Sequence, residues 1–258
     1  MLLLSSGSLY NYGLNRFFGL TKKAGFSALE IIISDLWDSR EVEYLNRLSR
    51  NFNLKILAFH APFSNMKRWK TPQERFLNSL KLSGKMKVET LVVHSYEPNN
   101  RTFFKWLKMD LKKIQKKTEV KIAVENLPRH YKGGKRPVYG GMDPLKLLDF
   151  DYLCLDTTHL ATTPLDLFDV YRKIKEKVAH IHLSDAIRLR ALQKNEEDDH
   201  LVPGEGKLPL ASFLKQLKQE KYKGTISLEL RPEVLGEGDE RKIVERLKKA
   251  RNFVERYF

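Results

Sequence analysis

The 258-residue sequence predicts an α/β fold, a single closed (β/α)8 barrel of the TIM-barrel class that spans residues 1–258. Short apolar runs alternate with amphipathic stretches along the whole chain, and eight such pairs in about 250 residues suit one barrel. The apolar runs are almost uninterrupted, as expected for parallel strands covered by helices. No linker rich in proline, glycine or serine divides the chain. An open, doubly wound sheet is the alternative.

The eight expected strands occupy 1–5, 28–34, 54–60, 89–95, 120–126, 151–157, 179–184 and 224–231. The pattern predicts helices over 13–24, 39–51, 72–86, 102–117, 143–149, 164–178, 207–221 and 239–257. Start signals support several helices, because proline directly follows Thr71, Asp143 and Thr163. The first strand-to-helix turn lacks the G-x-G-x-x-G pattern, so nothing favours dinucleotide binding.

The charge balance favours anionic partners. Lys and Arg outnumber Asp and Glu by 47 to 32, for a net charge of +15. Nucleic acid or a phosphorylated small molecule would suit this charge, and so would a lysine-rich surface of the kind that heat-adapted proteins carry. The N-terminal run MLLL is too short for a signal peptide or a membrane span. The lone Cys154 rules out an intramolecular disulfide, so a cytoplasmic protein is expected.

Side chains that can bind metal stand at the C-terminal ends of the expected strands, where barrels carry their active sites. In AHIHLSDA, His180 and His182 are two positions apart and therefore face the same way. The same alternation turns Asp156 and Glu229 inward. His180 sits deeper and is expected to fill the barrel interior or to support the site by hydrogen bonding. The complete set of candidate ligands is His60, His94, Glu125, Asp156, His159, His182, Asp198, His200 and Glu229. Such ligands suit Zn²⁺, Mn²⁺ or another first-row divalent ion.

The sequence resembles the xylose isomerase-like TIM-barrel superfamily over nearly its whole length. The most specific segments are ENLP, LDTTH, HIHLSD, DDHLVPGEG and GTISLEL. This superfamily comprises sugar and sugar-phosphate isomerases and epimerases and the endonuclease IV-type AP endonucleases of family 2. The epimerase branch implies one metal ion, held by Glu125, Asp156, His182 and Glu229. It also implies that Glu125 and Glu229 act as acid and base, while His159 and Arg188 contact the substrate.

The endonuclease branch implies up to three zinc ions, and its ligand pattern matches all nine candidate positions. Two segments depart from that branch. The first strand reads LLSSGSL, without the expected histidine motif, and DTTH lacks the usual cysteine before its histidine. Isomerase-like members also share the Asp-x-His pattern before the Gly-Glu-Gly turn.

Two basic loops, 64–75 and 129–141, should lie beside the candidate metal ligands at the C-terminal end of the barrel. Their interleaved Lys, Arg, Trp and Tyr residues could bind the phosphates and stack on the bases of DNA. They could equally bind one sugar phosphate or lie solvated. The leading prediction is a metal-dependent isomerase or epimerase of a small sugar or sugar phosphate, acting through an enediolate-like intermediate. A zinc-dependent AP endonuclease is the alternative, and a non-enzymatic binding protein is a third possibility.

Overall fold

Eight parallel strands form a closed barrel in the computed structural model, which describes residues 1–63, 66–95, 101–129, 131–132, 135–137, 143–190, 192, 196 and 198–258. The strands are β1 (Leu2–Ser5), β2 (Ala28–Ile32), β3 (Lys55–His60), β4 (Thr90–His94), β5 (Lys121–Glu125), β6 (Tyr152–Asp156), β7 (Val178–Leu183) and β8 (Thr225–Leu228). Their order around the barrel is the order of the chain, and β1 pairs with β8 through Leu2 and Ile226. This pairing confirms the closed barrel and excludes the open sheet. A two-stranded hairpin (Tyr131–Lys132 and Lys135–Pro137) follows β5.

Helices cover the outside of the barrel. They are α1 (Leu14–Lys23), α2 (Val42–Phe52), α3 (Pro72–Met86), α4 (Arg101–Gln115), α5 (Thr157–Ala161), α6 (Leu167–Ile174), α7 (Leu210–Gln219), α8 (Pro232–Leu235) and α9 (Glu240–Tyr257). Short 3₁₀ helices occupy Ser6–Leu9, Trp37–Ser39, Pro144–Leu147 and Lys175–Lys177. None of the helices in the described ranges combines the length and apolarity needed to cross a bilayer.

Several predicted bounds are wrong at their ends. The helix expected over 143–149 is the 3₁₀ turn Pro144–Leu147, and the helix expected from 164 begins only at Leu167. The later start follows from Asp166, whose side chain accepts from the backbone N–H groups of Phe168 and Asp169. The last strand ends at Leu228, because the next backbone groups leave the barrel ladder: Leu230 N–H donates to Ser8 Oγ.

The alternation along the strands confirms the predicted inward and outward faces. Leu153, Leu155 and Leu228 pack in the large apolar layer between barrel and helices. Small side chains fill the barrel interior, such as Ala123 beside Cys154. Polar side chains lie above this interior layer at the C-terminal ends of the strands, so the fold leaves the barrel mouth to the candidate ligands.

Candidate metal centre

Glu125 is the hub of the barrel mouth. It ends β5 and is fully buried. Its Oε1 lies 2.9 Å from His182 Nδ1 and 3.5 Å from His159 Nδ1. Its Oε2 lies 3.2 Å from His60 Nε2 and 3.3 Å from His94 Nε2. One carboxylate therefore contacts imidazoles from β3, β4, β7 and α5.

Four of the predicted ligands form one compact group around His182. Ligand atoms of Glu125, Asp156, His182 and Glu229 all lie within 4.8 Å of one another. The Nδ1 atom of His182 is 3.0 Å from Glu229 Oε2 and 3.8 Å from Asp156 Oδ2. That Asp156 oxygen is buried and has no hydrogen-bond partner among the described residues. An acceptor that is buried without a donor is costly, and a cation would satisfy it. We call these four residues the primary group.

Three further groups share members with the primary group: one joins Cys154 and His180 to His182, and two flank the primary group. His60 and His94 form one with Glu125, and His159 and His200 form the other with Asp156. Asp198 connects the last two histidines, because its carboxylate lies 3.2 Å from His159 Nε2 and 3.5 Å from His200 Nε2. The structure thus brings together all nine predicted ligand residues.

The local sequence explains how α5 presents His159. Asp156 ends β6 and also caps α5, since its Oδ1 accepts from the backbone N–H of His159 at 2.6 Å. The helix begins without an intervening loop, so Asp156 and His159 point into the same space. The ring Nδ1 of His159 lies 2.8 Å from the carbonyl oxygen of Asn126, which fixes the ring's orientation.

The electrostatics of the site favour bound cations. Burial opposes ionisation of Glu125, yet the neighbouring His182 and His60 hold the pKa of this carboxyl well below its usual value. Burial raises the pKa of Asp156. Burial also disfavours protonated histidine, but Asp156 and Asp198 raise the pKa of His159 to about 10. Asp198 likewise raises the pKa of His200 to about 9 against the effect of burial. The carboxylates therefore stabilise positive charge at this place.

The donor set fits a divalent metal ion. It consists of imidazole nitrogens and carboxylate oxygens that converge at one buried place, and Asp156 Oδ2 still needs a partner. Zn²⁺ and Mn²⁺ accept such mixed ligands. The primary group would hold one ion, and the two flanking groups offer places for others.

Arg188 does not join this cluster in the described part of the chain. Its Nε donates to Asp199 Oδ1 at 2.7 Å, and its guanidinium group also pairs with that carboxylate. Asp199 further accepts from the backbone N–H groups of Ile187 and Arg188, both at 2.8 Å. Arg188 therefore stabilises the loop after β7 through its ion pair with Asp199.

Sequence reasoning missed Glu30. This residue lies in the middle of β2, is fully buried, and places Oε1 3.1 Å from His182 Nε2. A signal was present, because Glu30 is the one charged residue in the apolar run ALEIII and shares the inward face with Ala28. A carboxylate in the interior of a barrel needs partners.

The first basic loop contributes fewer free groups than its composition predicts. Arg75 is buried and donates to the carbonyl oxygens of Trp69 and Lys70 at 3.4 and 3.2 Å. Trp69 packs against the core, and the Arg40 guanidinium lies 5.6 Å from its ring centre. Residues 64–65 of the first loop and 130, 133–134 and 138–141 of the second lie outside the described residues. The exposed cations of the first loop are Lys67, Arg68 and Lys70.

A cavity of about 780 Å³ opens beside the cluster. Glu229, Asp198 and His200 reach it from the cluster. Carboxylates and hydroxyls line part of its other walls and belong to Asp35, Asp38, Glu196, Glu233, Ser6, Ser34, Tyr10 and Tyr12, whereas apolar side chains such as Leu14, Phe17, Ile32, Ile33, Leu36 and Phe63 line the rest. Arg231 is the cation among its described lining residues. Groups of this kind suit a ligand with many hydroxyls better than a polyanion.

The family model described as "Xylose isomerase-like TIM barrel" matches residues 18–253. The chain belongs to this family. Among curated relatives, the uncharacterized protein ML2432 of Mycobacterium leprae is 25% identical over 277 residues, which cover 97% of this chain and 96% of the relative.

Solved structures with similar folds come from both branches of the superfamily. The IolI protein with a bound zinc atom has a TM-score of 0.74 at 20% identity, covering 100% of this chain and 99% of its own. A D-tagatose 3-epimerase-like protein has a TM-score of 0.68 at 21% identity, with coverages of 99% and 97%. An AP endonuclease of family 2 from Brucella melitensis has a TM-score of 0.66 at 17% identity, with coverages of 90% and 93%. At these identities the likeness establishes the fold.

Proposed function

We propose that the protein is a divalent-metal-dependent isomerase or epimerase of a sugar or sugar phosphate. The main support for this proposal is that the primary group and the cavity meet at one residue. Glu229 belongs to both, and carboxylates and hydroxyls that can bind the hydroxyl groups of a sugar line other parts of the same cavity. DNA would bring a row of phosphates, which this wall would repel. The zinc-bound IolI protein and the D-tagatose 3-epimerase-like protein share the fold and add support.

The two glutamates of the primary group differ in access to a substrate. The side chain of Glu229 is 19% exposed, whereas that of Glu125 is 1% exposed and surrounded by imidazoles. Burial opposes ionisation of Glu229, but His182 lowers its pKa, so this carboxyl is ionised at neutral pH as a base must be. We assign to Glu229 the removal of a proton from the carbon next to the substrate carbonyl.

Access also bears on the type of proton transfer. Epimerisation needs a proton donor on the face of the carbon opposite the base, and Glu125 would have to be that donor. An aldose–ketose isomerisation needs one base, which moves a proton between neighbouring carbons on the same face. The burial of Glu125 therefore favours isomerisation. His159 Nε2 lies 3.2 Å from Asp198, which lines the cavity, and we expect His159 to contact a substrate hydroxyl.

The primary group supplies the metal ligands in this proposal. Glu125, Asp156, His182 and Glu229 would hold one Zn²⁺ or Mn²⁺ ion. When bound, the ion stabilises negative charge on the substrate oxygens. The buried free thiol of Cys154 suits the reducing cytoplasm in which we place the enzyme.

The test is exchange of substrate hydrogen with solvent. Protein loaded with Zn²⁺ or Mn²⁺ is incubated in D₂O with a panel of aldoses, ketoses and their phosphates, and deuterium at the carbon next to the carbonyl is measured by NMR. Glu229→Gln should abolish exchange. Glu233→Gln, which changes another carboxylate of the cavity wall, should retain most of it. Absence of exchange across the panel with metal-loaded wild-type protein would contradict the proposal.

A second candidate function is zinc-dependent cleavage of DNA at abasic sites. The specific observation in its favour is the presence of two flanking ligand groups that share Glu125 and Asp156 with the primary group. Three ions held in this way could activate a hydroxide and clamp a phosphodiester, with Glu125 as a bridging ligand. Lys67, Arg68 and Lys70 would then contact the DNA backbone.

Metal counting and one double variant separate the two functions. The phosphodiesterase should carry up to three zinc ions and cut a duplex that contains an abasic site. Replacing Asp198 and His200 together with alanine should abolish cutting while the primary group keeps its ion. The isomerase should need one ion. Strong abasic-site cleavage by wild-type protein, lost in the double variant, would decide for the phosphodiesterase.

A further inference from the structure

A buried carboxylate lies directly beneath the primary group. Glu30 Oε1 is 3.1 Å from His182 Nε2 and 3.6 Å from His180 Nε2. Its Oε2 accepts a hydrogen bond from Ser227 Oγ at 2.7 Å. All four residues are fully buried. Glu30 is therefore surrounded by groups that can donate hydrogen bonds.

The two nitrogens of the His182 ring face different partners. Nε2 points down to Glu30, and Nδ1 points up to Glu125 and Glu229 at 2.9 and 3.0 Å. An ionised carboxylate can only accept hydrogen bonds, so the ring nitrogen that faces Glu30 must carry a proton. Nδ1 faces two carboxylates and can carry a proton as well while no metal is bound; a divalent ion would displace that proton, because a ligating nitrogen needs its lone pair. That lone pair is directed at the place where the primary group converges.

His180 completes the support from below. Its Nδ1 lies 2.6 Å from Thr225 Oγ1, and its ring meets the ring of His182 edge-on at 5.0 Å between centroids. Thr225 and His180 are also register partners in neighbouring strands. The deeper histidine thus keeps Glu30 and His182 in place. This arrangement explains why one buried strand carries two histidines on one face.

We propose that Glu30 is a positioning residue that fixes His182 as the Nε2–H tautomer and so presents Nδ1 to a divalent ion. A carboxylate that accepts a hydrogen bond from Nε2, the nitrogen that does not bind the metal, also makes the imidazole a stronger ligand. The proposal rests on one part of the proposed function, which is that the primary group binds a metal. It holds whether the enzyme is an isomerase or a phosphodiesterase. It predicts a contribution of Glu30 to metal affinity without contact between Glu30 and the ion.

The experiment measures metal affinity and ring tautomer without any substrate. Glu30→Gln should weaken Zn²⁺ binding at the primary group by about 10–100-fold, as measured by competition with a chelator. Long-range ¹H–¹⁵N spectra of Zn²⁺-loaded protein labelled at histidine should show wild-type His182 as the Nε2–H form. In the variant, a fraction of His182 should shift to the Nδ1–H form.

Ser227→Ala is the matched control, because it removes the bond to the other oxygen of Glu30 and leaves His182 unchanged. Its Zn²⁺ affinity should fall by only a few-fold. Should Glu30→Gln fail to fold, Glu30→Asp takes its place, since a side chain shorter by one methylene cannot reach His182 and should weaken Zn²⁺ binding. Unchanged affinity in the folded glutamate variants, or Zn²⁺-loaded wild-type protein in which His182 is protonated at Nδ1, would overturn the proposal. Absence of sugar turnover would count against the proposed function alone.

Discussion

Asp185 should be a main source of stability for the loop that carries Asp198 and His200. Its side chain is buried; Oδ1 accepts from the backbone N–H groups of Ala186 and Leu208 at 2.8 and 3.0 Å, and Oδ2 accepts from that of Gly204 at 2.8 Å. Asp185→Ala removes the acceptor of three N–H groups. Each donor left without a partner costs about 1–3 kcal/mol, less where water can enter, so we expect a loss of about 3–5 kcal/mol in the free energy of unfolding.

Urea unfolding followed by circular dichroism measures this loss, with an unchanged m-value as the sign that one two-state transition is compared. Asp166→Ala is the control, because Asp166 also accepts from two backbone N–H groups, but at the exposed start of α6. It should cost only about 1 kcal/mol. A loss in Asp185→Ala no larger than that in the control would refute the reasoning. The Asp185 variant should also lose zinc from the group that contains His200.

Further tests address an ion-pair network, the core and the metal. The pKa of Glu205 lies below its usual value, because Lys249 and Arg246 outweigh its partial burial. A depressed folded pKa gives stability that is present above the unfolded pKa and lost as pH falls through the folded one. Glu205→Gln should therefore destabilise the protein by about 1 kcal/mol near pH 7, and this effect should shrink as the pH falls through the folded pKa, as pH-dependent urea unfolding can show. Glu245→Gln is the control, because Glu245 lies on the exposed face of α9, the helix that carries Arg246 and Lys249. It should change the free energy of unfolding little at any pH. Leu228→Ala, at a fully buried position, should lower the free energy of unfolding by about 2–5 kcal/mol in the same assay, and a loss below 1 kcal/mol would contradict its place in the core. Saturating Zn²⁺ at about 100 times its dissociation constant should add about 2.7 kcal/mol of stability, seen as a higher melting temperature that a chelator reverses. An unchanged melting temperature would argue against a structured metal site.

The sequence predicts the barrel and its mouth because both follow from short-range patterns. Alternation along one strand is sufficient to turn Asp156 inward and Leu155 outward, and the C-terminal ends of parallel strands must meet at one end of the barrel. The nine ligand positions could therefore be named before their distances were known. The helix bounds were less accurate where a side-chain cap, such as Asp166, delays the start of a helix.

What could not be predicted depends on contacts between distant parts of the chain. Arg188 matches a substrate-contacting position in the family pattern, but Asp199 holds it in the loop. The three donors to Asp185 come from different places along the loop, and no local motif marks them. Glu30 lies in the middle of a strand, whereas the predicted metal ligands stand at the ends of strands or beyond them. Its role becomes visible only when β2 is placed across the barrel from His182.

The metal ligands and the residues that surround them come from different halves of the barrel. The primary ligands lie at or directly after the ends of four consecutive strands, β5 to β8, which form the second half of the barrel. The residues that surround them from the other side, His60, His94 and Glu30, come from β2 to β4 in the first half. Exchanging the first half between family members would leave the ion's own ligands in place. It would change how tightly the ion is held and how many ions gather around it, so one half could evolve as the tuner of a site that the other half defines.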